Sequence, residues 1–136
     1  MQLSPYLNFN GQCEAAFKFY ERSLGGKIAS MTTYAETPSA NQVPPEWGTK
    51  ICHATLLAGD NSLMGYDAPP GRYEVPKGFY ITIGINDPAD AQRIFNALAE
   101  NGKVVMPLQK TFWAVSFGMM VDQFGIPWMV NCGEAS

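Results

Sequence analysis

A chain of 136 residues has the length of one domain and can bury a hydrophobic core. Its formal net charge of −3, with nine Lys and Arg scattered along the chain, excludes the basic surface of a nucleic-acid-binding protein. No apolar run has the length of a membrane span, and residues 1–5 lack the basic and apolar regions of a signal peptide, so we expect a cytoplasmic protein.

The first half of the chain is predicted to form one strand, one helix and three further strands. The predicted elements are a strand over 3–9, a helix over 12–24, and strands over 27–34, 50–58 and 62–67. Gly25 and Gly26 end the helix, and Gly59-Asp60-Asn61 marks a hairpin between the last two strands. The proline-rich stretch 35–48 is predicted to be a loop, and long loops in compact domains are often functional.

The same pattern starts again after a second Pro- and Gly-rich link over 68–78. The predicted elements are a strand over 79–85, a helix that Asp87 caps, and strands near 103–108, 112–121 and 127–132. The buried face of that helix is expected to consist of Ala91, Ile94, Phe95 and Leu98. Asp122 begins a predicted turn before the last strand, and its carboxylate is expected to cap that turn.

The two halves align directly. Phe9 corresponds to Ile85, which lies 76 positions later, and the same shift aligns Phe19 with Phe95 and Gly26 with Gly102. These matches fall at a strand end, a helix face and a helix end, which favours a duplicated βαβββ unit. We therefore predict a single α+β domain, 1–136, built from paired βαβββ modules over 1–68 and 77–133, with mixed sheets that curl around a cavity and helices on the convex face.

A collinear set of short motifs carries a resemblance to a known family. These motifs are Pro5-Tyr6-Leu7-Asn8-Phe9-Asn10-Gly11, Phe19-Tyr20, Leu24-Gly25-Gly26, Lys50-Ile51-Cys52-His53-Ala54, Leu63-Met64-Gly65, Asp67, Thr111-Phe112-Trp113, Phe117-Gly118, Asp122-Gln123-Phe124-Gly125, Trp128 and Asn131. With this order of elements, the chain resembles the vicinal-oxygen-chelate superfamily, the glyoxalase and bleomycin-resistance fold, and within it the PhnB-like family. The resemblance implies the paired modules and a homodimer.

The resemblance also identifies where a metal would bind. Metal-dependent members hold a divalent ion with a His or Glu on the first and last strand of each module. The matching positions here are Ser4 (or Pro5), Gly65, Tyr80 and Met129. None of them is a His or a carboxylate, the side chains that bind such an ion. We therefore expect no metal and no cofactor.

Several side chains are candidates for contact with a small ligand. On the first strand of each module the apolar stripe should face the helix, which leaves four side chains toward the cavity: Tyr6, Asn8, Tyr80 and Thr82. The alternative is that these residues tie the sheets together by hydrogen bonds. Trp113 shares one face of the predicted strand 112–121 with Phe117, and either stacks on a ligand or packs in the core. Asn131 on the last strand faces either the cavity or an interface.

His53 is the only histidine and the candidate general base. It lies early on a predicted inner strand, near Trp47 in the proline-rich loop, and Trp47 is a further candidate for ligand contact. The alternative is that His53 is a structural residue with its hydrogen bonds satisfied. The neighbouring Cys52 should point to the opposite face of the strand, so we do not expect a Cys–His pair.

Two functions remain open from the sequence. The first is a metal-free protein that binds a small organic molecule in an aromatic-lined cavity. The second is a lyase or isomerase that uses His53 as a base, or a metal at a non-standard site. The four vacant metal-ligand positions and the high content of Trp, Tyr and Phe favour the first, and no nucleic acid or membrane partner is expected.

Overall fold

Each half of the chain folds as one strand, one helix and three strands. The computed structural model describes residues 1–133 and divides the chain into two units, Met1–Glu74 and Val75–Ser136. The first unit consists of β1 (Tyr6–Phe9), α1 (Cys13–Leu24), β2 (Lys27–Thr33), β3 (Ile51–Ala58) and β4 (Asn61–Asp67). The second consists of β5 (Ile81–Ile85), α2 (Pro88–Ala99), β6 (Lys103–Gln109), β7 (Ser116–Val121) and β8 (Pro127–Cys132). The α+β class and the repeated βαβββ order are confirmed.

The two sheets also share their strand order. It is β1-β4-β3-β2 in the first unit and β5-β8-β7-β6 in the second, with the outer pair parallel and the other pairs antiparallel. Neither helix in the described part of the chain is long and apolar enough to cross a membrane.

One helix packs on one face of each sheet. In the first unit, Phe17 of α1 lies against Gly65 of β4 so closely that a Cβ at Gly65 would be 2.7 Å from the ring. In the second unit, Phe95 of α2 lies against Gly118 of β7 in the same way. The predicted buried face of α2 (Ala91, Ile94, Phe95 and Leu98) is confirmed, as is its cap, since the Asp87 carboxylate accepts a hydrogen bond from the Ala89 N–H.

The helix-to-strand turn is equivalent in the two units. Gly26 follows α1 and its cap Gly25, Gly102 follows α2, and the residue after each of Gly26 and Gly102 begins the next strand. A Cβ at Gly26 would collide with the carbonyl oxygen of Leu57, and one at Gly102 with that of Val121. Only glycine lets the backbones approach so closely. The alignment at a shift of 76 residues therefore matches positions with the same backbone environment.

The predicted strand over 112–121 is wrong in its first part. The strand β7 begins at Ser116, because residues 111–114 form a turn. The Thr111 hydroxyl accepts a hydrogen bond from the Ala114 N–H at 3.1 Å, and the Thr111 N–H donates to the Ala114 carbonyl at 3.2 Å. Trp113 therefore lies in a turn, and the face assigned to it by strand alternation does not apply.

The proline-rich loop is built from three short 3₁₀ helices, over Tyr34–Glu36, Pro38–Gln42 and Pro45–Trp47. Tyr34 anchors its start, because the ring is buried and the hydroxyl donates to the Asp67 carbonyl at 2.7 Å. Burial, followed by the nearby Cys52 and Asp67, raises the pKa of Tyr34 from 10.0 to about 12.

This shift predicts a loss of stability in alkali. The folded chain holds the Tyr34 proton more tightly than the unfolded chain, so its contribution is complete below pH 10.0 and is lost as the pH rises toward about 12. Urea unfolding at a series of pH values should show this fall. The free energy of unfolding of Tyr34→Phe should be about 1 kcal/mol lower than that of the wild type near neutrality. It should also fall less steeply than that of the wild type between these pH values. Equal slopes for the two proteins would contradict the assignment.

Candidate functional site

The face of the first sheet opposite α1 carries hydroxyl, imidazole and aromatic groups. Along β1, Leu7 and Phe9 are buried, while Tyr6 points to the other face and is 52% exposed. Tyr6 pairs with Met64 of β4, and Met64 pairs with Thr55 of β3. Directly paired residues share a face, so these side chains form a row across three strands.

His53 joins this row through both of its ring nitrogens. Its Nδ1 lies 3.3 Å from the Tyr6 hydroxyl, and its Nε2 lies 3.1 Å from the Thr55 hydroxyl. A neutral imidazole has one N–H, so one hydroxyl donates to the ring and the other accepts from it. The hydroxyl that accepts from the imidazole N–H can donate its own hydrogen to a third group. The chain therefore offers a donor at either the Tyr6 end or the Thr55 end.

Tyr6 remains protonated over a wide pH range. Burial raises the pKa of Tyr6, and the neighbouring Tyr66 raises it further. The two rings meet edge to face with their centroids 5.3 Å apart, and Tyr6 also contacts the His53 ring at 5.8 Å. The face thus combines a neutral hydroxyl donor with aromatic surface.

The other two first-unit candidates lie in different surroundings. The Asn8 side chain is paired with the backbone of Glu74, since its amide donates to the Glu74 carbonyl and its oxygen accepts from the Glu74 N–H, both at 3.0 Å. Trp47 lies beside Gly11 and Lys50, with the Lys50 ammonium 5.8 Å from the ring centroid. Its indole N–H is buried and has no hydrogen-bond partner within residues 1–133. The structure therefore brings Tyr6 and His53 together, while Asn8 anchors the link that follows β4.

Two of the second-unit candidates, Thr82 and Asn131, lie on the corresponding face of their own sheet. Thr82 pairs with Met129 and its hydroxyl donates to the Met129 sulfur at 3.7 Å. Asn131 pairs with Phe117 of β7. Trp113 contacts the Phe117 ring edge to face at 5.1 Å, and Tyr80 is half-buried just before β5.

The positions expected for metal ligands do not fit a divalent ion. Ser4 hydrogen-bonds to the Ser62 hydroxyl, and Met129 presents a thioether. The placement of Gly65 on the ligand-bearing face is wrong, because Gly65 faces Phe17 of α1 and the residues of β4 on the other face are Ser62, Met64 and Tyr66. None of these is a His or a carboxylate. Across residues 1–133, no group of three or more His, Cys, Asp or Glu side chains is placed to hold a metal ion.

Sequence reasoning missed Thr55 and Tyr66. Thr55 lies two residues after His53 on β3, and the period of two along a strand places both on one face, so this partner was within reach of the sequence. Tyr66 meets Tyr6 across two strands that are distant in the chain, and no local signal indicates that contact.

Comparisons with known proteins agree with this architecture. A model of the Glyoxalase/Bleomycin resistance protein/Dioxygenase superfamily matches residues 2–130. Protein YjdN of Escherichia coli (strain K12) is 36% identical over an alignment 139 positions long, which covers 96% of this chain and 95% of that protein.

Two solved structures are also similar. Protein PA1353 from Pseudomonas aeruginosa is 46% identical with a TM-score of 0.90, and the match covers 99% of both chains. The PhnB protein from Bacillus cereus, described as a putative 3-demethylubiquinone-9 3-methyltransferase, is 21% identical with a TM-score of 0.79 over 98% of this chain and 100% of that one. This second match shows a common fold. The chain belongs to the glyoxalase/bleomycin resistance protein/dioxygenase superfamily.

Proposed function

We propose that this protein binds a small organic molecule on the face of the first sheet opposite α1, without a metal ion. The hydrogen-bonded chain Tyr6–His53–Thr55 is the observation that carries the proposal. Its exposed end, the Tyr6 hydroxyl, is a neutral group that can donate to a carbonyl or carboxylate oxygen of a ligand. Tyr66 and Met64 supply apolar surface beside it, as small-ligand sites require.

A ligand that accepts from Tyr6 fixes the direction of the whole chain. Thr55 then donates to Nε2, the Nδ1 N–H donates to the Tyr6 oxygen, and the Tyr6 hydroxyl donates to the ligand. The Tyr6 hydroxyl then donates to the ligand and not to the imidazole, and no side chain has to become charged. This arrangement favours ligands with an oxygen acceptor over hydrocarbons.

The proposal extends to the second unit in a more general form. There Tyr80, Thr82, Trp113 and Asn131 are proposed to contact a small molecule on the face opposite α2. A cytoplasmic homodimer, which the superfamily resemblance implies, is also part of the proposal.

A second candidate function is an isomerase or lyase step with His53 as the base. The Tyr6 contact favours it, because the exposed Tyr6 side chain is hydrogen-bonded to the imidazole. A substrate C–H proton would pass to the Tyr6 oxygen while the phenol proton passes to Nδ1, leaving an enolate and an imidazolium. For an α-hydroxycarbonyl substrate, transfer of the hydroxyl proton to the enolate oxygen and return of the imidazolium proton to the former carbonyl carbon would complete an isomerisation.

Because His53 is the only histidine, its imidazole resonances in an NMR spectrum need no further assignment. We expect titration with pyruvate, as a small carbonyl acid, to shift the His53 Cε1–H resonance saturably. Tyr6→Phe should weaken the affinity about tenfold, because one hydrogen bond to the ligand is lost. Tyr73→Phe, in the link after β4, is the matched control and should bind as the wild type does.

The same experiment separates the two candidates. Exchange of the pyruvate methyl protons with solvent deuterium, lost in His53→Gln, would identify the base role. Binding without exchange would leave a binding function only. No shift of the His53 resonance with pyruvate or with a panel of other carbonyl acids would refute both.

A further inference from the structure

The face of the second sheet opposite α2 has open space above Gly84. Gly84 of β5 pairs with Asn131 of β8, which pairs with Phe117 of β7, so the three positions form one row across the sheet. A Cβ added at Gly84 would meet no atom within 4 Å. In contrast, a Cβ at Gly118, one position along and on the other face, would meet the ring of Phe95 at 2.6 Å. The absence of a side chain at Gly84 therefore leaves space beside Asn131 and serves no close packing.

Asn131 points into this row with its amide available. The residue is half-buried, and within residues 1–133 no hydrogen bond joins its side chain to another group. The equivalent pair in the first unit is Asn8 and Tyr66, and there Asn8, at the position of Gly84, has both amide atoms paired with backbone. A side-chain amide offers a donor and an acceptor next to each other in one plane. Such an edge pairs with a ligand that presents the complementary acceptor and donor, as Asn does with the edge of adenine.

The neighbouring side chains form apolar walls suited to a flat ring. Phe117, on one side of Asn131, is 9% exposed. Its ring meets Trp113 edge to face with the centroids 5.1 Å apart, and Trp113 meets Phe112 in the same way at 4.7 Å. Met129 lies in the next row on the same face, paired with Thr82 on one side and Met119 on the other. Thioethers make favourable contacts with aromatic rings and adapt to irregular shapes.

We propose that Gly84, Asn131 and Phe117 form a binding site for a planar ring with a lactam-type edge, in which a ring N–H adjoins a carbonyl or an equivalent donor–acceptor pair. The ring lies over Gly84 against Phe117 and Met129, and its edge pairs with the Asn131 amide. This inference names a ligand class for the proposed small-molecule function, but it uses residues of the second unit alone. It can therefore hold or fail independently of Tyr6 and His53.

The test compares two probes that differ only at the donor. 2-Pyridone carries both the N–H and the carbonyl, and N-methyl-2-pyridone lacks the donor. In ¹H–¹⁵N spectra of the full chain we expect 2-pyridone to shift the Asn131 side-chain amide pair saturably, and to bind at least about tenfold more tightly than its N-methyl analogue.

Three variants complete the test. Asn131→Leu should bind the two probes equally. Gly84→Val should bind neither, because its side chain fills the open space above the sheet. The variant should still fold, because Val is favoured in strands. Tyr73→Phe, outside both proposed sites, should leave 2-pyridone binding unchanged, and the Asn131 amide and His53 Cε1–H resonances report the two sites separately. Equal binding of the two probes to the wild type, shifts confined to residues elsewhere, or no binding of 2-pyridone would overturn the proposal.

Discussion

Replacing Asp67 with Ala is expected to lower the free energy of unfolding by about 3–5 kcal/mol. Asp67 is 1% exposed at the end of β4. Its carboxylate accepts hydrogen bonds from the Cys13 N–H at 2.9 Å and from the Ile51 N–H at 2.8 Å. These are the first residues of α1 and β3, so one side chain joins the starts of two elements to the end of a third. Its removal leaves two buried N–H groups without an acceptor.

Urea unfolding followed by circular dichroism measures this loss. Asp67→Asn keeps one oxygen acceptor and should fall between Asp67→Ala and the wild type. The matched control is Asp60→Ala in the exposed hairpin turn, which should change stability by no more than about 0.5 kcal/mol. If Asp67→Ala were as stable as Asp60→Ala, the assigned role of Asp67 would be incorrect.

The second large effect is expected at Asp122, which is 3% exposed in the turn between β7 and β8. One carboxylate oxygen accepts from the Phe124 and Ile126 N–H groups at 2.8 and 3.0 Å, and the other accepts from the Trp128 indole N–H at 2.8 Å. Asp122→Ala should lower the free energy of unfolding by about 3–5 kcal/mol, because these three N–H groups lose their buried carboxylate acceptor. Urea unfolding again provides the measurement.

A double-mutant cycle isolates the contact with the indole. Asp122→Asn keeps one oxygen for the two backbone donors but places an amide group toward the Trp128 N–H. Trp128→Phe removes that N–H. The cost of Asp122→Asn should therefore be smaller by about 1–2 kcal/mol in the Trp128→Phe background than in the wild type. Additive effects would show that the carboxylate–indole bond contributes nothing measurable.

These two aspartates show what the sequence can and cannot predict. The cap at Asp122 was predicted because its backbone partners lie two and four residues ahead, within a local turn pattern. The role of Asp67 was not, because its partners lie 54 and 16 residues away and depend on how the sheet is assembled. The βαβββ repeat was predictable from periodic patterns and glycine positions, whereas the order of the strands within each sheet was not predicted. The turn at Thr111 was not, because a Thr hydroxyl that bonds to the backbone competes with an otherwise strand-like sequence.

The candidate site was partly predictable for the same reason. The placement of Tyr6 away from the helix follows from strand alternation, and Thr55 follows from its spacing to His53. The contact between Tyr6 and His53 joins two strands that are not neighbours in the sheet, since β4 lies between them. Gly65 was misassigned because the shift of one residue along a strand exchanges its two faces.

Gly26 and Gly102 occupy the same tight turn in the two units. The faces opposite the helices nevertheless differ: the first places an imidazole between two hydroxyls, and the second carries an amide with no hydrogen-bond partner within residues 1–133, beside thioethers. A repeated frame of this kind can carry different chemistry in its two units, since each unit forms its own sheet and its own helix contacts. The similarity of the units therefore lies in the glycines of their turns, and their difference lies in the side chains that face away from the helices.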